Sequence, residues 1–366
     1  MNDDAHTDQP ELLDAPTLEG FWQAFAYDER NLALLPDPEF VTKANDILNQ
    51  YAPELALELE HSDGSLFKRI VISAHGNTDQ FENAMALVRA APSLPGYKVQ
   101  AFRSRSLGSD FSMGMAGFEL ACSDVLVAHY DAGGIVGLEL SFEKIIPDDM
   151  RDHAQHMSFI MLDHVLGEWD FAVRVGPVDF VDAFSQGVSG AEPLSVFPAI
   201  FDAFQRDEMG RSYRFPKGDD DRWTAFEVRQ KEAPDDAPAD LLSLRLGANA
   251  VATRADLPHY LEVTMPVANA DELEAAKLVQ TSLQAAWEPL EQGILAFSRL
   301  NGDGDLVSGF YVENPATALP QVHALAQQHA EALDVDVGTM FDPSWQEYCA
   351  LYAAVGPRPA SEGGAA

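Results

Sequence analysis

The stretch LAFSRLNGDGDLVSGFYVENPATALPQVHALAQQHAEALDVDVGTMFDPSW, Leu295–Trp345, reads as strand, turn, strand, helix, strand and the start of a further helix. Ile294–Arg299 alternates apolar and polar residues, the period of a half-buried strand. Asn301-Gly302-Asp303-Gly304-Asp305 follows, and Asn-Gly and Asp-Gly accept the positive φ angles of tight hairpin turns. Leu306–Val312 leaves that turn with Phe310 and Val312 on one face and Gly309 and Tyr311 on the other. Pro315 suits a first helical turn, where its missing N–H costs nothing. Leu319, Val322, Leu325, Ala326 and Ala330 recur at helical spacing up to Leu333, and Val335 and Val337 restart the period of two. Asp342 is placed to cap the last helix, with Pro343 beside it.

Upstream, Tyr260–Met265 reads as a strand and Ala270–Leu290 as a helix with Leu273, Ala276, Leu283 and Trp287 on one face. From Tyr260 the order is therefore β-α-β-β-α-β, the ferredoxin-like order. Residues 223–246 add two strands around the polar loop Lys231–Ala239. In the first half, helices at Leu18–Tyr27 and Pro38–Tyr51 precede strands at Leu55–Leu59 and Phe67–Ser73 joined around Asp63-Gly64. A helix at Gln80–Ala91 and a strand at Tyr97–Phe102 follow. The rhythm repeats with strands Val125–Tyr130 and Ile135–Phe142 around Asp131-Ala132-Gly133-Gly134, a helix over Asp148–Leu166 and a strand at Phe171–Val175. Hairpin, helix, strand thus occurs twice.

The expected class is α+β, with two domains whose antiparallel or mixed sheets carry helices on one face. The expected division is a disordered segment 1–17, a first domain 18–181, a connection 182–222 containing a short helix at Val196–Phe204, a second domain 223–355, and a disordered tail from Gly356.

The 366 residues suffice for two ordinary domains, and 46% hydrophobic content lets each bury a core. No apolar run reaches the roughly 18 residues of a membrane span, and the acidic start Met1-Asn2-Asp3-Asp4 lacks the character of a signal peptide. Cys122 and Cys349 form no CxxC, which fits a reducing cytoplasm. The net charge of −36 argues against nucleic acid and anionic lipid; it reads first as a solvated, salt-adapted surface and second as a means of capturing a basic protein partner.

Gly309-Phe310-Tyr311 and Asp342-Pro343-Ser344-Trp345-Gln346-Glu347-Tyr348 carry a resemblance. Over about residues 210–355 the chain resembles the bacterial family catalogued as domain of unknown function 695. That family looks related in fold to the ribonuclease E inhibitors of the regulator B family, which are acidic, non-catalytic and ferredoxin-like. The resemblance implies a protein-binding role. The first half, through Phe21-Trp22-Gln23-Ala24-Phe25, Val71-Ile72-Ser73-Ala74-His75-Gly76, Ala101–Arg103 and Leu166-Gly167-Glu168, is similar to bacterial proteins of unknown function. Neither family supplies catalytic residues to transfer.

Candidate chemistry is sparse. In an EF-hand register with Gly304 sixth, the first and twelfth positions would be Arg299 and Phe310, where carboxylates are needed, so Asn301–Asp305 is a hairpin. On the long helix, His153 and His156 could share a metal ion with a carboxylate from elsewhere, whereas His164 lies ~16 Å from His153 along the axis. His164 and Glu168 form another four-apart pair. Asp152, His156 and Asp163 read as the solvated stripe of this helix. His75-Gly76 at a strand end is where a catalytic group can sit, or a structural turn. Gly187-Val188-Ser189-Gly190 lacks the spacing of a nucleophile elbow. Cys349 reads as core, and Trp345 and Tyr348 read as a clamp of the last helix on the sheet. Asp219, Asp220 and Asp221 form an acidic run that either solvates a linker or meets a basic partner.

The expectation is a non-enzymatic acidic protein-binding or regulatory protein of the cytoplasm, using no cofactor and touching neither nucleic acid nor membrane. The alternative is a metal-assisted hydrolase using histidines of the first domain.

Overall fold

The computed structural model describes residues 11–60, 67–106, 110–229, 238–330 and 333–355. The expected turn at Asp63-Gly64, most of the loop Lys231–Ala239, the tail from Gly356 and the first ten residues lie outside that set. The chain is α+β and separates into two compact units, Met1–Ala199 and Ile200–Ala366. Among the described residues no helix is long and apolar enough to cross a membrane.

The first unit opens with α1 (Ala15–Leu32) and α2 (Asp37–Leu48). α1 starts where Asp14 accepts from the Thr17 amide, and it buries Phe21, Trp22 and Phe25. Residues 11–17, expected to be disordered, are instead held: the Leu13 amide donates to Asn83, whose amide donates to the Glu11 carbonyl. Next come β1 (Ala56–Glu60), β2 (Lys68–Ser73), α3 (Phe81–Arg89) and β3 (Tyr97–Ala101). β1 and β2 are antiparallel, and β3 joins β2 in parallel after the α3 crossover. A short hairpin follows, β4 (Ser112–Met115) and β5 (Phe118–Ala121), which no sequence periodicity announces.

The pattern then recurs with β6 (Val125–Asp131), β7 (Val136–Phe142), α4 (Arg151–Leu166) and β8 (Val175–Phe180): an antiparallel hairpin, a helix and a parallel strand. β9 (Glu192–Pro193) completes a sheet of order β8-β7-β6-β9. The expected strand Phe171–Val175 is replaced by a wide helical turn, Asp170–Arg174, and the strand begins only at Val175. The alternating Phe171, Val173 and Val175 imitate a strand. The Arg174–Asp170 ion pair, four residues apart and 2.5 Å long, closes a helical turn instead.

The second unit begins within α5 (Phe197–Asp207) and builds one six-stranded sheet. Its elements are β10 (Trp223–Val228), β11 (Asp240–Arg245), β12 (His259–Pro266), α6 (Ala270–Trp287), β13 (Gly293–Leu300), β14 (Asp305–Val312), α7 (Pro315–His329), β15 (Asp336–Phe341) and α8 (Gln346–Val355). The spatial order is β10-β11-β13-β14-β12-β15, every neighbouring pair antiparallel. β13 and β14 form the hairpin read from Asn301–Asp305, where the Asn301 side chain accepts from the Asp305 amide.

Strand alternation divides the core in two. Leu261, Val263 and Met265 of β12 pack with Phe310 and Val312 of β14 under Val279 and Leu283 of α6 and Val322 of α7. Tyr260, Ile294 and Tyr311 face the other way. That second face also carries a cover, made by the 3-10 turn Leu246–Val251 and by Trp345 and Tyr348 at the start of α8. Gly309 lies under the Phe297 ring, where a Cβ would come within 2.5 Å of it.

The clamp at Trp345 is a polar knot as well as an apolar one. Its indole stacks on Tyr311 at 3.8 Å and 6° and donates to the Leu257 carbonyl. The Tyr311 hydroxyl donates to Asp342 at 2.6 Å, and Asp342 also accepts from the amides of Gln346 and Glu347, which opens α8. Burial, reinforced by Asp342, pushes the Tyr311 phenol far above its ordinary pKa. Asp342→Ala strands a buried hydroxyl and two helix amides, a loss of about 3 kcal/mol. Tyr311→Phe removes two bonds, the one to Asp342 and the one its hydroxyl accepts from the Tyr348 amide at 3.3 Å, about 2 kcal/mol. Urea unfolding followed by fluorescence should rank them in that order; equal effects would show that Asp342 acts through Tyr311 alone.

Candidate functional site

The polar groups that sequence reading singled out in the first unit converge at the ends of β2 and β3. After Ser73 the chain turns through His75 and Gly76, both with positive φ. This aims successive amides at one carboxylate. Glu168 Oε1 accepts from the Ala74 amide at 2.8 Å, the Gly76 amide at 3.1 Å and the Ser73 hydroxyl at 3.1 Å. Oε2 accepts from the Arg103 amide at 3.1 Å. Glu168 is fully buried. It reaches this place because Gly167, at φ 84°, ends α4, and any Cβ there would press on the Arg103 carbonyl and on Arg105 at about 3.2 Å. Trp169 then packs on Phe81 and Phe102. Three tripeptides far apart in sequence, Ala74–Gly76, Ala101–Arg103 and Leu166–Glu168, thus meet at a single carboxylate.

Arg103 supplies the charge balance. One guanidinium nitrogen lies 2.8 Å from Asp163, while Nε faces Glu58 at 3.6 Å and Glu168 at 3.8 Å. Another nitrogen donates to the Ser73 hydroxyl. Asp163 is therefore no part of a solvated stripe: its side chain is 13% exposed and ion-paired. Burial raises its pKa, against the pull of Arg103.

This geometry leaves little free chemistry. A carboxylate oxygen offers about two acceptor positions; Glu168 Oε1 is crowded by three donors of its own chain, and Oε2 takes one with Arg103 Nε 3.8 Å away. The Ser73 hydroxyl is used three times. The His75 ring is 62% exposed, with Glu58 at 3.9 Å, while its backbone serves the turn. Gly167 also separates Glu168 from α4, so the four-apart pair with His164 is not a helical pair.

His153 is half-buried, its Nδ1 without a hydrogen-bond partner, and His156 is exposed. Among the described residues no group of three or more His, Cys, Asp or Glu is arranged to hold a metal ion. Sequence reading missed one pair. Ser189 Oγ lies 2.8 Å from His129 Nδ1, accepts from the His129 amide at 2.9 Å, and the Ser189 amide donates back to the His129 carbonyl. The two are 60 residues apart, so no local spacing could have revealed them. Burial lowers the His129 pKa. These reciprocal backbone bonds make the pair a tie between β6 and the 187–190 loop.

In the second unit, burial raises the Cys349 thiol pKa, with Arg211 opposing. The acidic run is divided by the fold. Asp221 makes a bidentate pair with Arg245, at 2.6 and 2.8 Å, and Arg245 also holds Glu288. Burial works against the Arg245 charge, but these bonds outweigh it and its pKa is raised. Asp219 and Asp220 remain exposed on a 3-10 turn, Gly218–Asp220. β10, which follows directly, is an edge strand paired only with β11 among the described residues. It exposes Trp223 at 40% on one face and Val228 at 39% on the other, while the exposed Leu241 of β11 stands opposite Glu227.

Compared with family models, curated proteins and solved structures, the chain finds no match.

Glu168→Gln turns half of the acceptor set into a donor facing donors. The expected loss is about 3 kcal/mol of stability, read as a lower urea midpoint of the first unit. A midpoint within error of the wild type would show that the convergence of the three tripeptides does not depend on this carboxylate.

Proposed function

We propose that this is a non-enzymatic, acidic regulatory protein of the cytoplasm that binds a basic protein along the outer edge of its second sheet. The observation that carries the reading is the free side of β10. A sheet edge presents unpaired N–H and C=O groups, a template for an added strand, and proteins usually protect such edges. Here the edge is six residues long, has no proline, and exposes Trp223 on one face and Val228 on the other. Backbone pairing would supply affinity and the apolar side chains selectivity. The charge of −36 would supply steering toward a basic partner.

Two further observations support the reading. In the polar clusters nearest to a catalytic constellation, Glu168 takes four hydrogen bonds from its own chain and Ser189 is tied to His129, while Arg103 Nε and Asp163 Oδ1 make no hydrogen bond among the described residues. We read the run β12-α6-β13-β14-α7-β15 as ferredoxin-like, the fold that the resemblance to domain of unknown function 695 and to the regulator B inhibitors implies.

The test is quantitative capture from native lysate on the wild type and on a Trp223→Ala, Val228→Lys variant, followed by stopped-flow association with the captured protein. A basic protein retained by the wild type and lost by the variant is the expected result. Its on-rate should fall steeply between about 0.05 and 0.5 M salt as screening shortens the reach of the charge. Asp219→Asn with Asp220→Asn should lower that rate if this run faces the partner. Asp221 is left intact because it holds Arg245. Retention by the edge variant would remove β10 from the interface, and a salt-independent rate would remove the charge steering.

A further inference from the structure

The second unit contains a cavity of about 730 Å³, lined in part by Arg214, Phe215, Lys217, Asp219, Arg222 and Tyr352. Its size lies in the range of sites for small organic ligands. Its charge is what sets it apart. The chain has 23 Lys and Arg against 59 Asp and Glu, so carboxylates are abundant everywhere. At least eleven Lys and Arg side chains have a carboxylate oxygen within 4.0 Å. Arg214, Lys217 and Arg222 have none among the described residues, and all three line this one cavity. Arg211 lies beside it, 3% exposed, with a guanidinium nitrogen 3.6 Å from Cys349 Sγ. Arg222 and Arg211 act on the same phenol, pulling down the pKa of Tyr352 that burial raises. In a chain this acidic, three cations that make no ion pair among the described residues share one hollow with only two carboxylates, Asp219 and Asp220.

We propose that this cavity binds a small nucleotide. Two guanidinium forks and an ammonium suit a phosphate group, which arginine holds by paired N–H donors and lysine as a point charge. Asp219 and Asp220 lie on the same lining and accept hydrogen bonds only, so they suit sugar hydroxyls rather than the phosphate. Phe215, Pro216, Leu246 and Tyr352 complete the wall with apolar and aromatic surface for a base. The turn carrying the acidic pair is held against Gly247, where a Cβ would come within 2.8 Å of the Asp220 carbonyl, and by the Asp221–Arg245 pair behind it. The site is thus built on a fixed turn.

The test uses the full chain and three probes, AMP, adenosine and inorganic phosphate, measured by calorimetry at low salt. AMP should bind saturably and more tightly than either fragment. Arg214→Gln with Arg222→Gln, both exposed in the free protein, should weaken AMP and phosphate by at least about tenfold, the scale of a lost charged hydrogen bond. Asp219→Asn with Asp220→Asn should weaken AMP while leaving phosphate unchanged or tighter. Circular dichroism and thermal unfolding of each variant show that the fold is retained. No saturable AMP binding by the wild type, or equal AMP affinity in the double arginine variant, would overturn the site. Phosphate binding as tightly as AMP would overturn the nucleotide assignment.

Discussion

A carboxylate taken out of water must be given its hydrogen bonds by the chain, and each unit of this protein is tied at one such group. Leaving a buried charge uncompensated costs several kcal/mol, comparable to a large part of a domain's net stability. In the first unit Glu168 gathers amides and a hydroxyl from the ends of two parallel strands. In the second, Asp342 gathers a tyrosine hydroxyl from β14 and two amides from the first turn of α8. Neighbouring backbone follows from these demands. His75 and Trp345 both occupy the left-handed region, φ 53° and 59°, next to the amides that serve the carboxylate. Such a conformation is uncommon for residues with a Cβ and persists where the surroundings hold it.

The same constraint separates structural polarity from available polarity. Glu168, Ser73 and Arg103 look like a site when listed, since they include a carboxylate, a hydroxyl and a cation near an exposed histidine. Most of their bonds are already made, Arg103 Nε being the exception among them, so the group resists rearrangement. Arg245 behaves likewise, tying Asp221 to Glu288 beneath the second sheet. What remains free among the described residues is at the surface: the outer side of β10, the cations Arg214, Lys217 and Arg222, and a large excess of carboxylates. The excess acts at long range, repelling anions and attracting cations, while Arg214, Lys217 and Arg222 outnumber the two carboxylates around their cavity.

The elements around Leu295–Trp345 were legible because their signals are local. Asn301–Asp305 supplies residues suited to a tight turn, and alternation through Ile294–Arg299 and Leu306–Val312 assigns each side chain to a face. The hairpin, helix, strand rhythm of the first half was readable for the same reason. The error at Phe171–Val175 shows the limit. Alternating apolar residues fit a strand, yet an Asp170–Arg174 pair four apart fits a helical turn, and the sequence contained both signals. The cover on the second face of the sheet was legible only as a clamp at Trp345 and Tyr348; its other half, Leu246–Val251, carries no period to read.

Composition, turn chemistry and periodicity by themselves determined that this is an acidic α+β chain, which strands form hairpins, and which side chains face a core. Those properties depend on φ, ψ and burial within a few residues. The tertiary structure alone decided which polar groups meet: Glu168 with Ala74, Gly76 and Arg103, Ser189 with His129, Asp221 with Arg245, and three unpaired cations around one cavity. These partners are brought together by strand order and crossovers. A polar residue's need for a partner is written in its side chain, but the partner's identity depends on where the chain returns.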